Sequence, residues 1–158
     1  MRRISKAGIR RTERGYTYVS VLALIVVAAL SAQTTVIPAE SARIRDREAE
    51  LLFRGDAYRR AIAAYWAAGG TEPRLPQRLQ DLIADPRAPE RRFLRQLYPD
   101  PVTGADWTLI QGADGGIAGV ASRSTARPRR VQGFPEGLEA FATAERYADW
   151  RFAFDPNR

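Results

Sequence analysis

The sequence of 158 residues contains no cysteine and no histidine. These absences exclude disulfide bonds, thiol nucleophiles, the usual zinc ligand sets and every Ser-His or Cys-His catalytic pair. Carboxylates remain as candidates for catalysis, and Asp100, Asp106 and Asp114 are the ones to consider. All three lie in segments rich in Pro and Gly, where turn formation alone accounts for an Asp. We therefore predict no catalytic residue and no cofactor.

Charged side chains are absent from residues 15–39, although they are dense on both sides. A helix needs roughly 20 largely apolar residues to cross the hydrocarbon core of a membrane, and this window is long enough. A soluble core helix would show a polar stripe at helical period, and none begins before Pro38. We predict that residues 16–37 form a transmembrane helix, in preference to a buried core helix.

The positive charge of the chain is concentrated before that helix. The formal net charge is +7, and residues 1–15 hold six basic residues and one acidic residue, which gives +5 and leaves +2 for the rest. Basic residues that precede a first apolar helix hold that end in the cytoplasm. The charge is thus a topology signal rather than a sign of nucleic-acid binding, and the bulk of the chain is expected across the membrane.

A secretory signal peptide is the alternative for this N-terminal region. Its small-residue cleavage site would be Ala29-Leu30-Ser31, with removal after Ser31 or Ala32. Against it, the apolar run begins abruptly after a Gly, and the sequence beyond Ala32 continues as a helix. Retention of the helix is the preferred interpretation.

The junction between leader and apolar run consists of a basic segment ending in Gly15, followed by the aromatic Tyr16 and by Thr17. This junction resembles that of type IV prepilin-like proteins, which include the pseudopilins of type II secretion systems. The resemblance implies cleavage by prepilin peptidase between Gly15 and Tyr16 and methylation of the new N-terminus at Tyr16. The family has Glu at the fifth position after the cut, where this chain has Ser20. Ser20 offers a hydrogen bond but no charge, which favours a minor or atypical subunit.

The predicted helix continues beyond the membrane over residues 38–69. Pro38 is expected to bend it without necessarily ending it, and Gly69-Gly70 to stop it. An unbroken helix over residues 16–68 would be on the order of 80 Å long. The alternating Arg and Glu of residues 43–50 predict a solvated face or contacts between packed helices. Apolar residues recur near helical spacing and predict a buried stripe: Ile44, Leu51, Leu52, Tyr58, Ile62, Tyr65 and Trp66.

The remainder, residues 70–158, is predicted to form a small head. Two strands, 107–111 and 117–122, make a hairpin, which a third strand over 147–154 joins. Short helices are predicted at residues 77–84, 90–97 and 136–144. Trp107 and Trp150 are expected to pack on the long helix. The predicted fold class is α+β and pilin-like: a long N-terminal helix, half membrane-spanning and half amphipathic, packed on a small antiparallel sheet with short helices.

A second block, residues 91–119, carries Leu-Tyr-Pro-Asp-Pro, Asp-Trp and the Gly-Gly hairpin. It resembles type II secretion pseudopilins related to the major pseudopilin. Major pseudopilins bind calcium in a loop after the hairpin. The matching residues 122–130 contain several Arg and no Asp or Glu, whereas calcium requires several oxygen ligands, so no metal site is carried over.

The resemblance implies a pseudopilin-like subunit that is cleaved and then assembled into a periplasmic pseudopilus supporting protein export across the outer membrane. Its partners would be other pseudopilins, prepilin peptidase and the inner-membrane secretion platform, with no nucleic acid. The expected location is the inner membrane, single-pass, with a cytoplasmic N-terminus and a periplasmic C-terminal head. Two alternatives stay open: a minor type IV pilin, and an unprocessed single-pass periplasmic interaction protein. The predicted division is leader 1–15, membrane helix 16–37, amphipathic helix 38–69 and head 70–158.

Overall fold

A computed structural model describes the backbone of residues 13–33 and 36–156, and the side chains of residues 18–29 and 40–156. The chain divides into two compact units, residues 1–42 and residues 43–158. Residues 1–12, most of the predicted leader, lie outside the described residues. The architecture is α+β, with two helices and a three-stranded antiparallel sheet.

The first unit contains helix α1, Glu13–Gln33, and the beginning of helix α2, Val36–Ala67. Residues 34 and 35, between α1 and α2, lie outside the described residues, so the continuity of a helix over residues 16–68 stays a prediction. Pro38, which was expected to bend that helix, lies within α2.

The second unit contains the rest of α2, which ends at Ala67. Gly70 follows with a φ of 60°, a left-handed conformation that favours glycine. The prediction that Gly69-Gly70 ends the helix is confirmed. The predicted apolar stripe is also confirmed, since five of its residues are buried and Ile44 and Trp66 are half-buried. The five buried residues are Leu51, Leu52, Tyr58, Ile62 and Tyr65.

The sheet consists of β1, Thr108–Gln111, β2, Ile117–Ala121, and β3, Arg151–Ala153, in the order β1-β2-β3. Both pairs are antiparallel, with Leu109 opposite Val120 and Val120 opposite Phe152. Every residue of the central strand β2 is buried. The predicted hairpin and its third strand are confirmed, although the third strand is shorter than predicted.

The sheet packs on α2 through aromatic rings. Trp107 contacts Tyr58 edge to face, with ring centroids 5.7 Å apart, and contacts Phe152 at 6.4 Å. Gly55 of α2 faces the Phe152 ring so closely that a Cβ there would overlap it. Trp107 therefore packs on the helix as predicted. The ring contacts described for Trp150 join it instead to Phe134, Phe141 and Tyr147.

The predicted short helices are the weakest part of the sequence-based fold. The first and third are reduced to single 3₁₀ turns, Leu79–Leu82 and Glu139–Thr143, and a further 3₁₀ turn covers Tyr147–Asp149. The helix predicted over residues 90–97 is wrong. The N–H groups of Phe93 and Leu94 both donate to the carbonyl of Leu82, each at 2.9 Å. A segment of this length gains too few internal hydrogen bonds to offset helix nucleation, and packing onto the turn takes its place.

Candidate functional site

The predicted processing residues lie in the first turns of α1. Gly15, Tyr16 and Thr17 all belong to this helix, and their side chains are outside the described residues. Ser20, which stands where the pilin-like family has Glu, is exposed in the same helix. The structure thus places Gly15, Tyr16, Thr17 and Ser20 on one element, and Pro38 on the next. Cleavage and methylation at this junction stay predictions.

The described side chains of α1 expose apolar surface on all sides of the helix. Tyr18 is 71% exposed, Leu24 69% and Val27 60%. Neighbouring positions, which point in different directions around a helix, are exposed alike. They are Val19, Val21, Leu22, Ile25 and Val26. An apolar helix that is not covered by its own chain needs another apolar environment.

Within residues 13–33 and 36–156, no helix combines the length and the apolar character that crossing a membrane requires.

Two of the three candidate catalytic carboxylates, Asp100 and Asp114, organise turns. Asp100 is fully buried, and its carboxylate accepts hydrogen bonds from Val102 N at 2.9 Å, Thr103 Oγ1 at 2.7 Å and Ser122 Oγ at 2.7 Å. It therefore ties the turn after Pro99 to the end of β2. Asp114 accepts from Gly116 N at 3.1 Å. The turn interpretation is correct for both, and Asp100 has a long-range role that turn chemistry alone does not predict.

Asp106 is exposed and lies in the wall of a cavity of about 710 Å³ beside β1. The same wall contains the rings of Tyr58 and Trp107 and the guanidinium groups of Arg78 and Arg123. Burial raises the pKa of the Tyr58 hydroxyl, which donates to the Tyr98 carbonyl at 3.1 Å. The cavity thus holds one exposed carboxylate and no activated nucleophile. Among the described residues, no cluster of three or more carboxylates is placed to hold a metal ion.

Glu48 is the functional side chain that the sequence interpretation missed. It lies in the segment predicted as a solvated face, yet it is only 2% exposed. Its Oε1 accepts hydrogen bonds from Arg129 N at 2.6 Å, Arg130 N at 3.1 Å and Tyr147 Oη at 2.9 Å. Burial raises the pKa of the Tyr147 hydroxyl, and the hydrogen bond to Glu48 raises it further. Glu48 therefore fastens the loop after β2 and the 3₁₀ turn before β3 to α2.

A signal for Glu48 was present in the helical spacing. It lies four residues after Ile44 and three and four residues before Leu51 and Leu52, on the buried stripe. A carboxylate on that stripe requires buried donors. The burial of Glu48 is difficult to recognise from the sequence, because the flanking arginines give the segment the composition of an exposed helix.

A second buried carboxylate, Asp85, lies near the end of α2. Arg87 holds it through two guanidinium contacts, Nε to Oδ1 at 2.8 Å and Nη2 to Oδ2 at 2.9 Å. The same Nη2 donates to the carbonyl of Tyr65 at 3.0 Å, and the guanidinium stacks 4.0 Å from the Tyr65 ring centroid. The hydrogen bonds from Arg87 lower the pKa of Asp85. This pair anchors residues 85–87 to the helix and is structural rather than catalytic.

No protein-family model, curated protein or solved structure matches this chain.

Proposed function

We propose that this chain is a pseudopilin-like subunit of a type II secretion system, processed by prepilin peptidase and assembled into a periplasmic pseudopilus that supports protein export. The observation that carries the proposal is the apolar surface of α1, which is exposed on all sides at Tyr18, Leu24 and Val27. Such a surface is suited to a membrane before assembly and to the helices of neighbouring subunits afterwards. The uncharged window of residues 15–39 extends the same character along the sequence.

The second unit supports the proposal in two ways. An amphipathic helix carrying a small antiparallel sheet is the arrangement expected of a pilin-like head. The buried carboxylates Glu48, Asp85 and Asp100 are each satisfied by hydrogen bonds within the fold. A buried carboxylate in a cleft without such partners would favour an enzyme, and the satisfied carboxylates favour a structural subunit instead. We propose that the protein is not an enzyme.

The proposed location is the inner membrane, with α1 in the bilayer and the second unit in the periplasm. The proposed partners are other pseudopilins, prepilin peptidase and the inner-membrane secretion platform. Ser20 lacks the carboxylate that would pair with a neighbour's amine, so we propose a minor or atypical position in the filament. The alternative of a minor type IV pilin shares the processing step and differs in the machine that it serves.

The test is the mature N-terminus, determined by mass spectrometry on membranes from cells with and without prepilin peptidase. We expect a methylated Tyr16 that depends on the peptidase. Gly15→Ala should leave the precursor in the membrane, whereas Gly8→Ala, a matched change inside the leader, should be processed normally. An intact leader in the wild-type protein would instead support the unprocessed single-pass protein, and a start near Ala32 would support a cleaved signal peptide.

A further inference from the structure

The loop after β2 carries an unusual local charge. Residues 123–131, here called the arginine loop, contain Arg123, Arg127, Arg129 and Arg130. No Asp or Glu occurs between Asp114 and Glu136, so nothing along the chain nearby balances these arginines. The loop is therefore a concentrated positive segment in a unit whose other charges are mostly mixed.

The arginine loop is fixed to the rest of its unit at several points. Glu48 accepts from the N–H groups of Arg129 and Arg130, at 2.6 Å and 3.1 Å. The carbonyls of Ser124 and Ala126 accept from Ala148 N at 2.9 Å and Tyr147 N at 3.1 Å. The backbone is thus held from both α2 and the segment before β3. A surface that is ordered before binding loses less conformational entropy when a partner docks.

The guanidinium groups of Arg123, Arg127 and Arg129 have no hydrogen bond or ion pair within the described part of the chain, and all three residues are exposed. Other arginines of the same unit do pair with carboxylates: Arg54, Arg59, Arg60, Arg74, Arg78, Arg87 and Arg146. Arg130 differs from its neighbours, because it donates to the carbonyls of Gln132 and Gly133 and stacks on Phe134. Three guanidinium groups are consequently available to a partner.

We propose that the arginine loop is a docking surface for an acidic face on a different protein subunit. Guanidinium groups bind carboxylates through paired hydrogen bonds of fixed geometry. Val131, which is 65% exposed beside them, supplies an apolar contact at the same surface. Residues 16–158 still carry a net charge of +2 without the leader, so another copy of this chain does not offer a net acidic partner. The proposal rests on the proposed function for the class of partner, a neighbouring subunit of the same assembly.

An anionic membrane surface is the competing partner, and the loop is poorly built for it. Anionic lipids attract basic clusters electrostatically, and stable interfacial binding adds apolar or aromatic side chains that enter the bilayer. The next aromatic residue along the chain, Phe134, is already packed against Phe141 and Trp150, at 6.1 Å and 5.4 Å between ring centroids. Only Val131 is left to insert, so the geometry favours carboxylates of a protein over lipid phosphates.

The experiment uses the full chain in neutral detergent micelles, labelled on a single cysteine. The native sequence has no cysteine, so Thr125→Cys, at an exposed position of the arginine loop, gives one labelling site for an environment-sensitive dye. The probe is a glutamate-rich peptide, titrated at low and high salt. Arg123→Gln, Arg127→Gln and Arg129→Gln together form the loop variant. The control combines Arg92→Gln, Arg95→Gln and Arg151→Gln, three other exposed arginines, and removes the same charge.

We expect the peptide to shift the dye and the loop variant to bind it about tenfold more weakly, since each exposed charge pair contributes two- to fivefold or so. The control variant should bind like the parent. Equal weakening in both variants would show an effect of net charge alone and overturn the proposal. Circular dichroism of both variants confirms that neither has unfolded.

The lipid alternative is tested with the same label on the chain reconstituted in phosphatidylcholine vesicles, with and without an equal part of phosphatidylglycerol. A dye shift caused by phosphatidylglycerol, without a response to the peptide, would assign the loop to the membrane and overturn the proposal. These results are independent of processing at Gly15. Peptide binding in this experiment, combined with an intact leader in cells that contain prepilin peptidase, would refute the proposed function and leave the docking surface standing.

Discussion

Helices α1 and α2 both carry many large apolar residues, but the two sets have different surroundings. In α2, Leu51, Tyr58 and Ile62 are fully buried under the sheet and its loops. In α1, Leu24 and Ile25 are 69% and 59% exposed. Burial of such side chains stabilises a protein by roughly 1.5–3 kcal/mol each. The second unit gains this stabilisation within its own fold, whereas the exposed side chains of α1 would gain it in another apolar environment. Under the proposed function, α2 therefore serves folding and α1 serves association.

Among these substitutions, replacing Glu48 should reduce stability the most. The effect should be confined to the second unit, which contains most of α2. Glu48→Ala leaves the N–H groups of Arg129 and Arg130 and the hydroxyl of Tyr147 without their buried acceptor. We expect the free energy of unfolding to fall by about 3–5 kcal/mol. The measurement is urea unfolding of the full chain in micelles, followed by tryptophan fluorescence.

The matched control for this change is Asp46→Ala, on the same helix but exposed. It should change the stability by about 0.5 kcal/mol or less. Membrane association of α1 should be the same in both variants. If the two variants unfold alike, the three hydrogen bonds to Glu48 contribute nothing, and the loop is held by other contacts.

A pair of matched charge insertions tests the comparison directly. Leu24 in α1 and Phe53 in α2 are exposed to a similar degree, 69% and 62%. If α1 lies in a bilayer, Leu24→Asp should raise its apparent free energy of insertion by roughly 3 kcal/mol. Phe53→Asp meets only water and should change stability by about 0.5 kcal/mol at most.

The inserted fraction in a translocon assay measures the first effect, and urea unfolding measures the second. Unchanged insertion of the Leu24→Asp chain would mean that the exposed apolar surface of α1 is covered by something other than lipid.

Substitution of Gly55 tests how closely α2 approaches the sheet. An alanine in a helix is favoured over glycine by about 1 kcal/mol, but here its Cβ would overlap the ring of Phe152. Overpacking of this kind costs typically 1–3 kcal/mol, so we expect Gly55→Ala to lower the free energy of unfolding. The reverse change at an exposed position of the same helix, Ala49→Gly, isolates helix propensity and should cost about 1 kcal/mol. Stabilisation by Gly55→Ala would place the sheet farther from the helix.

The sequence predicts those parts of the fold that depend on periodicity. The stripe of α2 repeats at helical spacing, and the two hairpin strands flank a Gly-rich turn in which Gly115 has a φ of 78°. Prediction from sequence fails where a single hydrogen-bond acceptor elsewhere in the chain decides the structure. Phe93 and Leu94 share an apparent helical face, but their N–H groups both donate to the carbonyl of Leu82.

The candidate site divides in the same way. For Asp114, the hydrogen bond from Gly116 N follows from turn chemistry that is local in sequence, whereas the one from Leu75 N, 39 residues away, does not. The acceptor role of Glu48 depends on donors 81, 82 and 99 residues away along the chain. No local pattern contains those donors, and only the spacing of Glu48 on the buried stripe indicates that it needs them.

The smallest effect is expected from Asp85, at the end of α2 where helix and loop meet. Its carboxylate is held by Arg87, which lowers its pKa in the folded protein. A carboxylate with a lowered folded pKa stabilises the fold fully above its unfolded pKa of about 3.9, and the contribution is lost as the pH falls through the folded value. Asp85→Asn should therefore reduce stability at neutral pH by about 1 kcal/mol, because solvent screens the partly exposed Arg87.

The difference between wild type and Asp85→Asn should shrink as the pH is lowered below about 4, which urea unfolding at several pH values measures. Asp106→Asn, at an exposed carboxylate without an ion pair in the described chain, provides the control and should change stability by about 0.5 kcal/mol or less. A difference that stays constant with pH would mean that the contribution of Asp85 does not depend on the charge of its carboxylate. The ion pair with Arg87 would then contribute specificity of packing rather than stability, and α2 would be held to its loops by neutral contacts at this end and by the Glu48 carboxylate nearer its start.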